Sequence, residues 1–379
     1  MHLDKISGSP SLEVVNLVLE KKARGERVLS LAIGEPSFNT PEDIVEAAHR
    51  GMLAGEVHYT SSYGIPELRR AIAQKVRRKN GIRADEANAI FITTKLAVFA
   101  ALMAVADEPF EALVPDPGYF YSEPTLLAGG RPVRYGLAPD FSLDLGAIRR
   151  ALTPKTRVIV INTPSNPTAR VLGREELQEL YELCSERDIY IISDEAYEDI
   201  IFEKEHFSIG ALEPEPELVI TLFSFSKSYA MTGWRAGYIV ASRRIVERVA
   251  RLLEHTLTCF PPFIQRACAY ALENGDAHVK AFRERLAHRR KLLLEKLQEV
   301  RGLTISPIEG AFYAFPRYSA KIPSQELVKR LLLQEGVAVL PGIAFGPAGE
   351  GHIRLSFSGN EQEIEEGMER IKAFFGRLG

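Results

Sequence analysis

A lysine set among hydroxyls and glycines, with an arginine a few residues downstream, is equipped to hold an anionic aldehyde. The run Ser224-Phe225-Ser226-Lys227-Ser228-Tyr229-Ala230-Met231-Thr232-Gly233-Trp234-Arg235-Ala236-Gly237 has this make-up. The Lys227 amine reads as a Schiff-base former. Ser224 and Ser226 can donate to phosphate oxygens, and Arg235 offers a planar fork of N–H groups to the same phosphate. A lone lysine after a strand is ordinarily a surface residue, so the surrounding elements must supply the context.

Those elements have an α/β rhythm. Short β-branched runs at residues 90–93, 111–114, 157–161, 189–193, 218–223 and 236–241 alternate with helix-length segments. Near-continuous apolar strands joined this way predict a mostly parallel sheet covered on both faces, with ligands beyond the carboxyl ends of the strands. The polar clusters lie there: residues 162–166 after one strand, Asp194 after another, and residues 224–227 after a third. A helical stretch over 276–300 carries Arg283, Arg285, His288, Arg289 and Arg290 on a face read as solvated. Gly302 and Pro307 break the pattern, and a strand and helix alternation follows to residue 378. The expected organisation is an N-terminal arm over 1–40 packing on the smaller domain, a large domain over 41–273, and a small α+β domain over 274–379. No internal repeat, low-complexity tract or flexible linker is evident.

The 379 residues, 46% hydrophobic and 26% charged, can bury a sizeable core. A net charge of -3, with both signs spread along the chain, argues against nucleic acid as a partner. The N-terminus mixes charges where a signal peptide would be apolar, and the longest apolar run, 96–106, falls short of the roughly 18 residues of a membrane helix. Cys184, Cys259 and Cys268 are scattered, suggesting neither disulfides nor a metal site and pointing to a reducing cytoplasm.

Four motifs in order make a resemblance specific: Asn162-Thr163-Pro164-Ser165-Asn166-Pro167-Thr168, Asp194-Glu195-Ala196-Tyr197, the Lys227 run, and the stretch ending in His352-Ile353-Arg354-Leu355-Ser356-Phe357. From residue 31 to 378 the chain resembles a class I/II, fold-type I pyridoxal-phosphate aminotransferase. The resemblance implies pyridoxal 5'-phosphate as cofactor, bound through Lys227. Asp194 would face the pyridine nitrogen and keep it protonated, making the ring an electron sink. Tyr197 and Asn166 would donate to the phenolic oxygen, lowering the pKa of the Schiff base. Tyr119 matches the aromatic that stacks on the ring. Tyr59, in Tyr59-Thr60-Ser61-Ser62-Tyr63-Gly64, resembles the tyrosine that reaches the phosphate of a neighbouring subunit, which implies a homodimer. Arg354 would clamp the substrate α-carboxylate, with Gly34 against it and Tyr119 and Asn166 beside it.

Taken singly, Asp194 is a helix cap, Asn166-Pro167 a turn, Tyr119 a core tyrosine, Gly34 a turn glycine and Arg354 a surface arginine. The chain also departs from the family. Thr93-Thr94-Lys95-Leu96-Ala97 stands where the phosphate turn usually reads Thr-x-Gly and then a small residue. Backbone N–H groups of Lys95, Leu96 and Ala97 at the following helix start are expected to hold the phosphate instead, with Lys95 as a point charge. Ala169 replaces a usual glycine, and Ser37 a common aspartate.

The implied reaction moves the amino group of an L-amino acid to a 2-oxo acid, 2-oxoglutarate being the expected acceptor, by a ping-pong route. The donor displaces Lys227, whose freed amine carries a proton from the α-carbon to the cofactor's C4′. A β-lyase or racemase would use the same cofactor residues, a regulatory protein could keep the fold without turnover, and an α/β enzyme of another kind lacks a GxGxxG or P-loop here. Ala97, where some aspartate-preferring relatives carry lysine, weakens a strict aspartate assignment. Phe38, Tyr63 and Tyr119 would tolerate a bulky donor.

Overall fold

A computed structural model describes residues 6, 10–106 and 109–378. Most of the charge-mixed N-terminal stretch lies outside the described residues.

The core is a seven-stranded sheet, in spatial order Ala89–Ile92, Gly237–Val240, Val219–Ser224, Tyr190–Asp194, Thr156–Asn162, Glu111–Asp116 and Arg131–Gly136. Six strands run the same way, and Gly237–Val240 is antiparallel to both its neighbours. The apolar side chains divide by the two-residue period of a strand. Ile90, Ile92, Val158, Val160, Ile192, Ile220 and Leu222 pack beneath the helices Thr94–Val105 and Arg243–Thr256. Phe91, Phe223 and Tyr238 face a second layer, as do Ile159, Ile161 and Ile191. Burial on both faces explains the continuous apolar strands. The sheet is thus mostly parallel and helix-covered, the fold-type I arrangement expected. The Arg131–Gly136 strand was not anticipated: it is an edge strand carrying Arg131, Pro132 and Arg134, residues that belong on an edge and hide its β pattern.

The carboxyl ends of the central strands are aligned by register. Asn162 pairs with Asp194, and Asp194 with Leu222, so the polar residues that end or follow these strands emerge together.

A separate apolar cluster joins Val14, Val18, Leu29 and Leu31 to Leu286, Leu293, Leu327, Leu331, Ile364 and Phe374. Here the helices Asp276–Gln298, Ser324–Glu335 and Glu361–Gly376 accompany a three-stranded antiparallel sheet of Tyr313–Ala314, Ile353–Ser356 and Leu340–Pro341. The short strand Leu29–Ser30 pairs in parallel with Val337–Ala338.

One reading of the 276–298 helix needs correction. Arg289 is buried rather than solvated: its guanidinium lies 4.7 Å from the Phe38 ring centre and donates to Ser37 Oγ at 3.0 Å and the Ser358 carbonyl at 2.9 Å. Arg290 is half-buried and donates to the Ile308 carbonyl at 2.7 Å. Arg289 shares the buried stripe of Leu286, Leu293 and Leu297 at helical spacing, a signal the sequence did contain.

Candidate active site

A cavity of about 360 Å³ opens where the strand ends meet the C-terminal antiparallel sheet. Lys227, Asp194, Tyr197, Asn166, Tyr119, Ser224, Ser226, Arg235, Lys95, Gly34 and Arg354 all line it.

Lys227 stands on a single helical turn, Phe225–Ser228, capped by Ser224, whose Oγ accepts from the Ser226 N–H at 3.1 Å. Thr94 Oγ1 donates to that same Ser224 oxygen at 2.8 Å and ties the start of the Thr94–Val105 helix to the lysine turn. The Lys227 amine donates to the Gly34 carbonyl at 2.7 Å. Burial pulls its pKa down to about 8, helped by Arg354 and Arg235 and opposed by Glu35 and Asp194. A lysine so placed is partly neutral near physiological pH.

Asp194 ends its strand buried. Its Oδ2 accepts from the Tyr121 hydroxyl at 2.9 Å and its Oδ1 from the Ala196 N–H at 3.2 Å. Burial pushes its pKa up to about 6 despite these donors. No cation among the described residues pairs with it at ion-pair distance, so the carboxylate is a ready partner for a positive group in the cavity.

Asn162, the register partner of Asp194, donates from Nδ2 to the Asp194 carbonyl at 2.9 Å and accepts from the Asn166 N–H at 2.7 Å. Asn166 Oδ1 accepts from Arg354 at 3.1 Å, which leaves its Nδ2 to donate elsewhere. Tyr197 and Tyr313 share a hydroxyl hydrogen bond of 2.8 Å. Tyr119 lies half-buried at the cavity wall, its hydroxyl pushed up to about 12 by burial.

Arg354 is 4% exposed. It sits 4.3 Å from the Tyr313 ring centre and 5.2 Å from that of Phe345, donates to Asn166 and the Ala32 carbonyl, and leaves Nε without a partner. Among the described residues no carboxylate pairs with it. A buried guanidinium in this state favours an anion.

Gly34 is required by packing: a Cβ there would meet the Tyr313 hydroxyl at 2.0 Å. It is more than a plain turn residue.

The expectations change at Ala97, Phe38 and Tyr63. Ala97 leaves the set of cofactor contacts, because its side chain is fully buried in the sheet-facing core and its N–H is committed to the Thr93 carbonyl at 2.9 Å. Leu96 packs its side chain against that core, so only its first-turn N–H stays available with those of Thr94 and Lys95. Phe38 and Tyr63 do not line the cavity: Phe38 stacks on Phe282 at 4.6 Å, and Tyr63 packs beside Arg69. Tyr59, expected at the site of a neighbouring subunit, is 88% exposed and stands outside this chain's own cavity.

Sequence reasoning did not single out Thr94, Tyr121, Asn162 or Tyr313. Asn162 stood inside a quoted motif, and Thr94 beside Lys95. Nothing about Tyr121 or Tyr313 distinguishes them from core aromatics before the fold brings them to Asp194 and Tyr197.

The family model for aminotransferase class I and II matches residues 26–371. The chain belongs to that family. This aminotransferase is 38% identical to an aspartate aminotransferase of Pyrococcus abyssi, over 91% of each chain. It is also 38% identical to aromatic-amino-acid aminotransferase 2 of Thermococcus litoralis, over 96% of this chain and 97% of the other. Its structure superposes on an aspartate aminotransferase from Thermus thermophilus with maleate at a TM-score of 0.94, with 36% identity over 98% of both chains. The family is pyridoxal-phosphate-dependent. Among the described residues no helix is long and apolar enough to cross a membrane.

Proposed function

We propose that this aminotransferase moves the amino group of an L-amino acid to 2-oxoglutarate in two half-reactions within the one cavity, by a ping-pong route, using pyridoxal phosphate attached at Lys227. The observation that carries the reading is a buried guanidinium, Arg354, with no carboxylate partner among the described residues, opening on the same cavity as a half-buried primary amine.

The donor set fits the cofactor. Lys227 would hold its aldehyde carbon, Asp194 its ring nitrogen, Tyr197 and Asn166 its phenolic oxygen, and Tyr119 its ring face. Ser224, Ser226, Thr94, Arg235 and the free first-turn amides of Lys95 and Leu96 would hold its phosphate. When bound, it supplies an electron-withdrawing ring to the substrate's α-carbon.

The chain's own residues do the rest. Arg354 binds the α-carboxylate and orients the α-carbon, with Asn166 holding the guanidinium in place. Lys227, with a pKa near 8, takes the α-proton at Nζ and returns it in the reverse half-reaction. Tyr121 keeps the Asp194 carboxylate directed and ionised. Val15, Ile33, Phe120 and Leu340 form an apolar wall for the donor's side chain, with Lys95 and Arg235 the exposed cations among the lining residues.

Residues 41–273 are in this reading the cofactor-holding domain and 274–379 the smaller one, with 1–40 as an arm. The exposed Tyr59 reaches the site of a second copy, so the active unit is a homodimer. The three free cysteines accord with a reducing cytoplasm.

Adding pyridoxal phosphate to cofactor-free protein should produce a visible absorption band, and borohydride should then fix a label on Lys227. A panel of amino donors against 2-oxoglutarate should yield glutamate, with apolar and aromatic donors preferred. A colourless protein, or a label on another lysine, would overturn the reading. Product analysis showing elimination or loss of chirality would favour a β-lyase or racemase.

A further inference from the structure

The turn leaving the Tyr190–Asp194 strand has two sides. Asp194 and Tyr197 look into the cavity, whereas Glu195, Glu198 and Asp199 look away from it into a layer of buried polar groups. Glu195 accepts from the Ser193 and Ser208 hydroxyls, both at 2.9 Å, and meets His206 Nε2 at 2.8 Å. Glu198 pairs with Lys75 and accepts from Asn80 Nδ2 at 2.6 Å. Asp199 pairs with Lys79 and accepts from the Ser228 hydroxyl at 2.5 Å. Lys79 and Asn80 belong to a π-helical segment, Val76–Asn80, that follows the Pro66–Lys75 helix. Such segments are rare and recur at functional sites.

Ser228 is the residue after Lys227. The Phe225–Ser228 helix is four residues long, and one turn of helix is not stable by itself. On the cavity side it is held by Ser224 and Thr94 and by the lysine's bond to Gly34. On the far side Ser228, 4% exposed, is bonded to Asp199, 8% exposed, two residues beyond Tyr197.

We propose that Asp199, clamped between Lys79 and Ser228, is a positioning residue that fixes the lysine-bearing turn against the loop carrying Asp194 and Tyr197. The separation of the amine from the carboxylate and phenol that act with it is then set by a contact behind the cavity. Losing the Ser228 hydroxyl frees the helical turn to rotate about its axis, and an amine displaced by about an ångström loses reactivity. The inference rests on Lys227 being the residue that reacts.

The test uses the full-length protein and two readouts. In cofactor-free protein, the pH dependence of Lys227 labelling by trinitrobenzenesulfonate, followed by peptide mass, reports the amine's surroundings. In the loaded enzyme, kcat and KM report alignment. Ser228→Ala and Asp199→Asn should each raise the labelling midpoint by about one pH unit as the ammonium gains access to water. Each should also lower kcat about tenfold or more with little change in KM for 2-oxoglutarate. Ser228→Thr, which keeps the hydroxyl, should restore both. Unchanged midpoint and kcat in Ser228→Ala, or loss of thermal stability without change in either, would overturn the proposal. Should those variants not fold, Lys79→Gln at the exposed end of the clamp carries the test, and an unaltered midpoint there overturns it equally. Wild type that does not attach pyridoxal phosphate at Lys227 would remove the functional reading itself and this inference with it, whereas a normal wild type with indifferent variants removes only the clamp.

Discussion

Replacing Lys227 by methionine should make the cofactor-free protein more stable while abolishing activity. The amine is held in a cavity that lowers its pKa from the ordinary 10.5 to about 8, chiefly by burial. At pH 7 the lysine is charged in both folded and unfolded chains, and the folded chain bears the cost of a desolvated ammonium, about 3 kcal/mol at about 1.4 kcal/mol per pKa unit. Methionine removes that cost but loses the hydrogen bond to Gly34, and the amine is only partly buried, so the expected net gain is about 2 kcal/mol. The sign with pH follows from a lysine pKa depressed on folding. The penalty is full below about pH 8, where the folded amine still carries its proton. It fades as pH rises from 8 toward 10.5, because the folded amine is then already neutral. Urea unfolding of cofactor-free wild type and Lys227→Met at pH 7 and pH 10 would measure it, with a gap of about 2 kcal/mol at the lower pH narrowing to under about 1 at the higher. A variant less stable than wild type at pH 7, or a gap that does not change with pH, would refute the reasoning.

Arg354→Lys should raise KM for both amino donor and 2-oxo acid by about tenfold or more, because an ammonium cannot replace the guanidinium fork stacked on Tyr313; steady-state kinetics with two substrates would check it. Gly34→Ala should severely impair activity, since its Cβ would meet the Tyr313 hydroxyl at 2.0 Å, and Tyr313→Phe in the same chain should recover part of the loss; a double-mutant cycle reads the coupling. Tyr121→Phe removes a donor from the ionised Asp194, so its pKa should rise further above about 6 and pyridoxal phosphate affinity should fall about tenfold, measured by spectrophotometric titration across pH 5 to 8. Asp194→Asn should stabilise cofactor-free protein at pH 7, where the buried carboxylate is charged, and make less difference near pH 4, where protonation has relieved it; thermal melts at the two pH values decide the matter.

Much of this architecture is legible in the sequence because burial on both faces makes central parallel strands continuous apolar runs. Direction is not encoded in such a run, so the antiparallel course of Gly237–Val240 could not be read from it. The edge strand Arg131–Gly136 fails for the opposite reason, with only Tyr135 buried among its six residues. Asn166, Asp194, Tyr197 and Lys227 were recoverable because each ends or follows a strand whose end was visible, whereas Arg354 lies within the Ile353–Ser356 strand and was marked by its motif alone. Tyr121 and Tyr313 were not, since their roles arise from contacts between residues 73 and 116 positions apart, and no local pattern marks such a meeting. Arg289 failed because charge alone was read, while its place on the Leu286–Leu293–Leu297 stripe was the stronger signal.

The loop from Asp194 to Asp199 shows how one segment can serve chemistry and stability together. Asp194 and Glu198 are both buried carboxylates, four residues apart, yet their pKa values move in opposite directions. Burial opposes the ionised form of each. At Glu198 that effect is overcome by Lys75, Lys79 and His206 and by the Asn80 hydrogen bond, which hold it down to about 2. At Asp194 two neutral donors do not suffice, and it rises to about 6. The difference follows from the supply of cations: those of the Pro66–Lys75 helix and the π-helical segment after it pair with carboxylates on the far face of the loop, while the cavity face has none at ion-pair distance from Asp194 among the described residues. A carboxylate saturated by lysines has little electrostatic capacity left for a ligand, whereas one that is buried and short of positive charge gains most from a cationic ring nitrogen. The same loop therefore places its satisfied acids where they hold the structure and its unsatisfied acid where binding completes it.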